Sequence, residues 1–563
     1  MPEPEIRAEE IEPLPVMPRG GPPRGEPAPA ARTAFDGALP RAAAPAVAEV
    51  TGRARVGATL LVAGAFCAVL VWVPSQMFDL ERYLVPKALA LHLTALALLG
   101  LGLVPLRRSA WGRTGLLLAG VVGWGALTAA FATNRWLAFA AWGISFSSAA
   151  LFLSARALPE RLRRPALAGI LTAVVIGSAL GIAQSYGLDA AWLSDSRPPG
   201  GTFGNRNFLG HLAAIAAPAL LMTALAARRR RWAVAALFGL AVLAAAIVLT
   251  RSRAAWLGGL VGALCALVAA VIAAHRAGGG FAWGRLALGG ALTGGAIAAA
   301  VLLPNDLNWT TDTPYAATLG DLAEYREGSG AGRLVQYQNS LGLVRSHPLL
   351  GVGPGNWFVH YPLVTTPNDP AYAGSDLIPT NPWPSSDWVA HTTERGPIGA
   401  LLLLAAIAAA ALAAQRRRDG GPAADPLAAG AVAGVLAAAA VCGAFDAVLL
   451  LAAPSFVTWA TVGLLLPREP ASPDAPAAKS AWRGAATLVA AVLTLYTGAH
   501  AAAILMTREA TGTAAVERAA LLTPGEHRLH LALAERGRCA HARRAARLMP
   551  HHERAVRMAE GCG

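Results

Sequence analysis

Charge is the first thing this sequence lacks. Only 14% of its 563 residues are Asp, Glu, Lys or Arg, against about 25% in an ordinary soluble protein, which argues against a multi-domain soluble enzyme. Cysteine is nearly as scarce. Five in the whole chain do not make a disulfide scaffold, and Cys67, Cys265 and Cys442 fall inside apolar blocks, where they read as small core residues. No His, Cys, Asp or Glu cluster has the spacing of a metal site. The Gly-rich stretch around Gly351 and Gly353 lacks the Lys-Ser/Thr ending of a phosphate-binding loop. Neither a metal nor an organic cofactor is expected. Basic residues outnumber acidic ones, for a net charge of +14. They sit in short clusters between apolar blocks, however, and not in the stripe or tail that would point to nucleic acid.

Apolar sequence is what the chain has in excess, 55% of it, with a mean hydropathy of +0.46. It falls in blocks too wide for globular cores. The spans read as 56–75, 84–105, 114–132, 137–157, 165–186, 207–227, 232–250, 254–274, 286–303, 397–414, 427–444, 447–466 and 484–505. The expected fold is therefore all-α, a polytopic transmembrane bundle of about 12–13 spans. Arg107, Arg108, Arg113, Arg161, Arg163, Arg164, Arg228 to Arg231, Arg276, Arg285, Arg416 to Arg418, Lys479 and Arg483 all fall in alternate loops. With the N-terminus inside, each cluster is cytoplasmic, as the positive-inside rule requires.

Five regions follow. Residues 1–55 read as a disordered cytoplasmic tail, 56–303 as helices, and 304–396 as a large loop on the opposite face. Residues 397–505 return to helices, and 506–563 form a helical tail on the loop's side. The first apolar block begins near Val56, too far from the start for a signal peptide. In the tail, Leu522-Thr523-Pro524 and Leu548-Met549-Pro550 end two Ala-rich amphipathic stretches. These are tetratricopeptide-like but more closely spaced, with an irregular helical cap as the plainer alternative. Outside the cell's reducing compartment, Cys539 and Cys562 are a candidate disulfide.

Arginines stand at outward helix ends where simple insertion would not put them. Arg206 lies just before a span, and Arg251 and Arg253 lie between two apolar blocks with almost no loop. An arginine at a helix centre costs about 2.5–3.5 kcal/mol, so these belong at the water boundary or beside a polar cavity. Snorkelling to headgroups would satisfy them. So would a phosphate pocket, because guanidinium forks match phosphate oxygens. The large loop adds Gly332-Arg333 and His347-Pro348-Leu349-Leu350-Gly351-Val352-Gly353-Pro354-Gly355-Asn356. At its end Ser385 or Ser386 is a natural N-cap, and Asp387, His391 and Glu394 follow at i, i+4 and i+7 on one helical face. That stripe can hold and tune a general base. Equally, it can cap the helix and pair with Arg395.

Together these pieces resemble the bacterial O-antigen ligase and O-antigen polymerase-related membrane proteins. The family's Gly-x-x-Gly-Asn-x-Asn-x-x-Gly is matched by Gly201 to Gly210, including Asn205 and Asn207, and its Thr-x-Ser-Arg by Thr250 to Arg253. Its Gly-Arg is matched by Gly332-Arg333, its His-Pro-x-x-Gly-x-Gly-x-Gly/Asn by His347 to Asn356, and its closing Glu-x-Gly-x-x-Gly by Glu394 to Gly399. The resemblance implies a metal-independent membrane glycosyltransferase, type C-like. Such an enzyme takes a glycan from undecaprenyl diphosphate at the periplasmic face of the inner membrane and passes it to an acceptor such as lipid A core. On this resemblance Arg253 and Arg333 engage the donor diphosphate, with Arg251 and Arg206 as further candidates. The family's base, a His about nine residues before the closing Glu, falls on Ser385, which cannot act as a base unaided near neutral pH. His391, Asp387 or Glu394 is the replacement. Another loop base such as His360, or a catalytically weak member, is the alternative.

An O-antigen polymerase and a protein O-oligosaccharyltransferase share that chemistry. A non-catalytic polysaccharide or lipid transporter belongs to another class, and predicts repeated halves with ionisable residues near mid-span. Repeated halves are not evident. His92 reads as a packed, hydrogen-bonded residue, and Asp446 as interfacial at a turn.

Overall fold

The computed structural model describes residues 51–75, 77–105, 108–190, 192–193, 197–276, 281–321, 328–366, 369, 382–416, 425–468, 480–509 and 512–562. Most of the expected N-terminal tail, Arg107, Arg417, Arg418, Lys479 and part of the large loop lie outside them. All regular structure among the described residues is helical. The first block comprises α1 (Gly52–Leu70), α2 (Glu81–Gly100), α3 (Gly112–Ala130), α4 (Arg135–Ala157), α5 (Glu160–Ser185), α6 (Arg206–Ala226), α7 (Arg230–Leu249), α8 (Arg253–Arg276) and α9 (Trp283–Leu302). The loop region carries α10 (Pro314–Gly320), α11 (Gly328–Ser346) and α12 (Trp357–His360). Then come α13 (Asp387–Ala414), α14 (Pro426–Phe445), α15 (Ala452–Leu465) and α16 (Ser480–Met506), and a tail of α17 (Thr513–Leu522), α18 (His527–Ala534), α19 (Cys539–Leu548) and α20 (Glu553–Glu560). Among the described residues, twelve helices are long and apolar enough to cross a membrane, so the chain is a polytopic helical membrane protein.

Local chemistry sets the helix starts. The side chains of Thr51, Asn134, Asn205, Ser386 and Asp425 accept backbone N–H groups at the first turns of α1, α4, α6, α13 and α14. Small residues set the tightest packing. A Cβ on Gly258 of α8 would meet Cys442 Sγ at 2.4 Å, and one on Gly434 of α14 would meet the Gly262 carbonyl at 2.6 Å. Backbones approach this closely only where side chains are missing. At the centre stands α6, 89% of whose apolar window is buried.

The expected span at 447–466 takes a different form: α15 has only 14 residues. The cause is Asp387, whose carboxylate accepts the N–H groups of Val448 (2.9 Å), Leu449 (2.7 Å) and Leu450 (3.4 Å) and holds that stretch out of the helix. Its far end is tied to the other side of the bundle, where Arg163 Nη1 donates to the Leu466 carbonyl at 2.7 Å. There Arg156 donates to the carbonyls of Trp111 (2.6 Å) and Pro467 (2.9 Å), Arg285 to Leu225 (3.0 Å), and Arg483 to Val104 (3.0 Å). Helix C-termini leave carbonyls without partners, and cations at that end satisfy both the lone pairs and the dipole. We call this the basic end and the opposite one the loop end.

Candidate functional site

The site at the loop end grows from the start of α6. Gly204 takes φ +75, and a Cβ there would sit 2.5 Å from the Tyr83 ring. This turn leads into Asn205, whose side chain caps α6 by accepting the Asn207 N–H. Asn207 Nδ2 donates to Asp446 Oδ2 at 3.2 Å. One turn further, His211 is 1% exposed and its Nε2 meets Ser252 Oγ at 3.3 Å. Ser252 also accepts the Ala255 N–H in the first turn of α8. It thereby ties α6 to the three-residue turn, Thr250 to Ser252, that displays Arg251 and leads into Arg253.

That turn is strained. Arg251 takes φ +50, the single non-glycine residue with positive φ among the described residues. Two side-chain contacts hold α10 against it: Arg251 Nε donates to Thr318 Oγ1 at 2.8 Å, and Arg253 Nη1 donates to the Asp321 carbonyl. Burial, opposed by Tyr315 and Asp321, lowers the Arg251 pKa from its ordinary value, but guanidinium remains charged throughout the working range. The guanidinium carbons of Arg206 and Arg251 stand over the Trp309 ring, 4.8 and 4.6 Å from its centre.

Arg333 enters from α11. Gln336 and Tyr337, three and four residues on and so on the same helical face, bind the Ser385 backbone. Gln336 Oε1 accepts the Ser385 N–H at 2.7 Å, and the Tyr337 hydroxyl contacts the carbonyls of Ser385 (2.5 Å) and Ala444 (3.0 Å). Ala444 lies two residues before Asp446, the partner of Asn207, so the face of α11 that carries Arg333 is tied to the start of α6. Asn205, Asn207, Arg206, Arg251, Arg253, Arg333 and Ser385 therefore belong to one linked region, built from α6, the α7–α8 turn, α10, α11 and the start of α13.

The acidic stripe is arranged differently. Asp387 and Glu394 point to separate partners: the first to 448–450, the second to the Trp357 N–H (3.4 Å) and Arg395 (3.5 Å), where both side chains are 2% exposed. His391 is buried, and its Nδ1 contacts the Asp387 backbone carbonyl at 2.9 Å. A carbonyl only accepts, so Nδ1 carries the proton and Nε2 keeps the lone pair. The orienting group is thus the Asp387 carbonyl, not its carboxylate.

The closing motif is a kink that receives the Gly-rich loop. Gly396 (φ 66, ψ 171) breaks α13, and Pro397 has no N–H for the Thr393 carbonyl. Val352 and Gly353 supply theirs to the Thr393 and Glu394 carbonyls at 2.9 Å each, and Trp124 Nε1 donates to that of Arg395 at 2.7 Å. Every buried polar backbone group needs a partner, and here the partners come from 41 residues upstream and beyond. Asn356 then clasps Asn134, accepting its N–H at 2.7 Å and donating to its carbonyl at 3.1 Å. Beside it His360 meets Thr133 Oγ1 at 2.9 Å, with the rings of His347 and His551 5.7 and 5.5 Å away.

Two residues of this region, Lys87 and Trp309, carried no assigned role in the sequence pattern. Lys87, 1% exposed within α2, donates to the Val69 and Val71 carbonyls at 2.9 Å each and lies over Phe203 of the Gly-Asn motif. A lysine inside an apolar span was the available signal. Asp446, expected as interfacial, is buried against Asn207, and Trp309 had no local signal at all. His92 is packed as expected, its Nδ1 2.8 Å from Ser147 Oγ.

These features define a polytopic helical membrane protein with arginines gathered at the loop end of its central helices. Residues 238–403 match the family model described as O-antigen ligase. That segment is similar to the O-antigen ligase family, whose members are glycosyltransferase-like enzymes. No curated protein matches the chain.

Proposed function

We propose that this protein transfers a glycan from undecaprenyl diphosphate to an acceptor hydroxyl, such as one on lipid A core, at the periplasmic face of the bacterial inner membrane. The observation that carries this reading is the linkage of Arg253, Arg333, Arg251 and Arg206 in one region at the loop end. Departure of a lipid diphosphate develops negative charge, and fixed guanidinium donors stabilise it without reorganising. In the reaction the acceptor oxygen attacks the anomeric carbon, its proton passes to a base, and the bond from that carbon to the diphosphate oxygen breaks. We assign the base to His391 through Nε2, with the Asp387 carbonyl as its orienter and Glu394 as a fixed support of the helix kink. Ser385 stands where the family's His would be. The face is supported by the arginines at the opposite end and by the Cys539–Cys562 disulfide in the tail on the loop side.

The test is glycan display in a deletion background complemented with Arg253→Ala or Arg333→Ala. Each variant is expected to lower transfer by about 100-fold or more, with lipid-linked polymer accumulating. Wild-type display from both would remove the diphosphate role. A single repeat on the core in the deletion strain would mark a polymerase instead.

A further inference from the structure

We propose that Trp309 is a positioning residue that fixes the reach between Arg206 and Arg251, and so makes this pair selective for a diphosphate over a monophosphate. This rests on the donor reading above and adds to it a residue and a specificity. Arg206 and Arg251 come from different elements, the start of α6 and the α7–α8 turn, and both guanidinium groups stand on one ring. Like charges repel, and Arg206 lies in the field of both Arg251 and Arg197. An aromatic ring offsets that repulsion, because its electron-rich faces attract cations. It also gives the two forks one shared rigid contact, with their guanidinium carbons 4.8 and 4.6 Å from the ring centre.

The loop that carries the ring is held in place. The Asp306 N–H donates to the Ser185 carbonyl at 2.9 Å, pinning this loop to the end of α5. Asn305 Nδ2 reaches the Tyr315 hydroxyl of α10 at 3.4 Å, and Thr318 of the same helix accepts from Arg251. Two forks sharing one ring suit two phosphoryl groups joined through a bridging oxygen, each taking one guanidinium. A lone phosphoryl group engages one fork well and leaves the other unpaired.

The experiment measures binding of an isoprenyl diphosphate and of the monophosphate with the same chain to the purified full-length protein in lipid nanodiscs. Wild type, Trp309→Ala, Trp309→Phe and Arg253→Ala are compared. Wild type is expected to prefer the diphosphate, and Trp309→Ala to lose about ten-fold of that preference, the scale of two cation–π contacts. Trp309→Phe, which keeps a ring, is expected to retain most of it. Arg253→Ala is expected to weaken binding while leaving the Trp309-dependent part of the ratio intact. An unchanged ratio in Trp309→Ala, with wild type still selective, overturns the positioning role alone. No diphosphate preference in wild type overturns the donor reading and the inference with it. Where Trp309→Ala fails to fold, Trp309→Leu and Trp309→Phe decide: equal ratios would show that the ring's electrons do not matter.

Discussion

At the scale of single residues, the loop end combines strain with charge. Arg251 is held at φ +50, a conformation costing an L-residue roughly 1–2 kcal/mol that glycine adopts freely. Arg251→Gly and Arg251→Ala both remove the guanidinium, so both are expected to depress glycan transfer. They should differ in stability. The glycine variant is expected to unfold about 1 kcal/mol harder than the alanine variant, measured by thermal denaturation in one detergent, and equal midpoints would mean the turn carries no strain. A second pair of variants addresses the base. His391 offers Nε2 because Nδ1 is tied to a backbone carbonyl, so His391→Ala is expected to lower turnover by about 100-fold or more. Ser385→His, restoring an imidazole beside the Gln336 and Tyr337 face, is expected to raise it. The idea of a relocated base fails if both variants transfer glycan as fast as wild type.

Among elements, the Gly-rich loop and the α13 kink are one structure built from two distant motifs. A Cβ on Gly351 would meet the Thr393 carbonyl at 2.5 Å, and one on Gly396 the Leu349 carbonyl at 2.0 Å, both against backbone that has no room to yield. Gly351→Ala is expected to destabilise the protein by about 3 kcal/mol or more through overpacking and positive φ. Gly284→Ala in α9, where nothing lies within 4 Å, should stabilise it by up to about 1 kcal/mol. Similar melting points for the two variants would refute this. Hydrophobic blocks locate the helices because burial in lipid depends on composition and length, and both are local. The glycines of 351–355 are visible for the same reason. What they pack on is not, since Pro397 frees the Thr393 carbonyl in one place and the Val352 N–H answers it from another. Nor can spacing reveal that Asp387 shortens α15, because a carboxylate beside three N–H groups is a product of the fold. Asp387 and Glu394, spaced on one helical face, read as partners of His391, yet each turns to a different loop.

For the whole molecule, the tail and the described part of the large loop meet over the loop end. Arg528 pairs with Glu81 at 2.6 Å, Asn134 reaches the Gly525 carbonyl at 3.4 Å, and Leu548 and Met549 pack with Leu343, Val352 and Trp357. Cys539 and Cys562 close the tail on itself, a crosslink of a kind that contributes about 3 kcal/mol. Two histidines lie where tail meets loop: His360 beside His551, and His527 with its ring 5.4 Å from Phe358. Burial pushes His360 down to about 4, helped by the neighbouring His551 and His347. Burial likewise pushes His527 to about 4, against the opposing pull of Glu526. Both rings are therefore neutral when docked, and once exposed regain an ordinary value near 6.5. Between pH 6.5 and 4 the opened form binds protons that the docked form does not, so docking weakens as pH falls through that window and is at full strength above it. Proteolytic cleavage of the tail is expected to run about ten-fold faster at pH 5 than at pH 7.5, after allowing for solvent screening at the partly exposed His360. A protease with equal intrinsic rates at the two pH values provides the measurement. His360→Gln should flatten the dependence, and a tail equally resistant at both pH values would show that these histidines do not govern its docking.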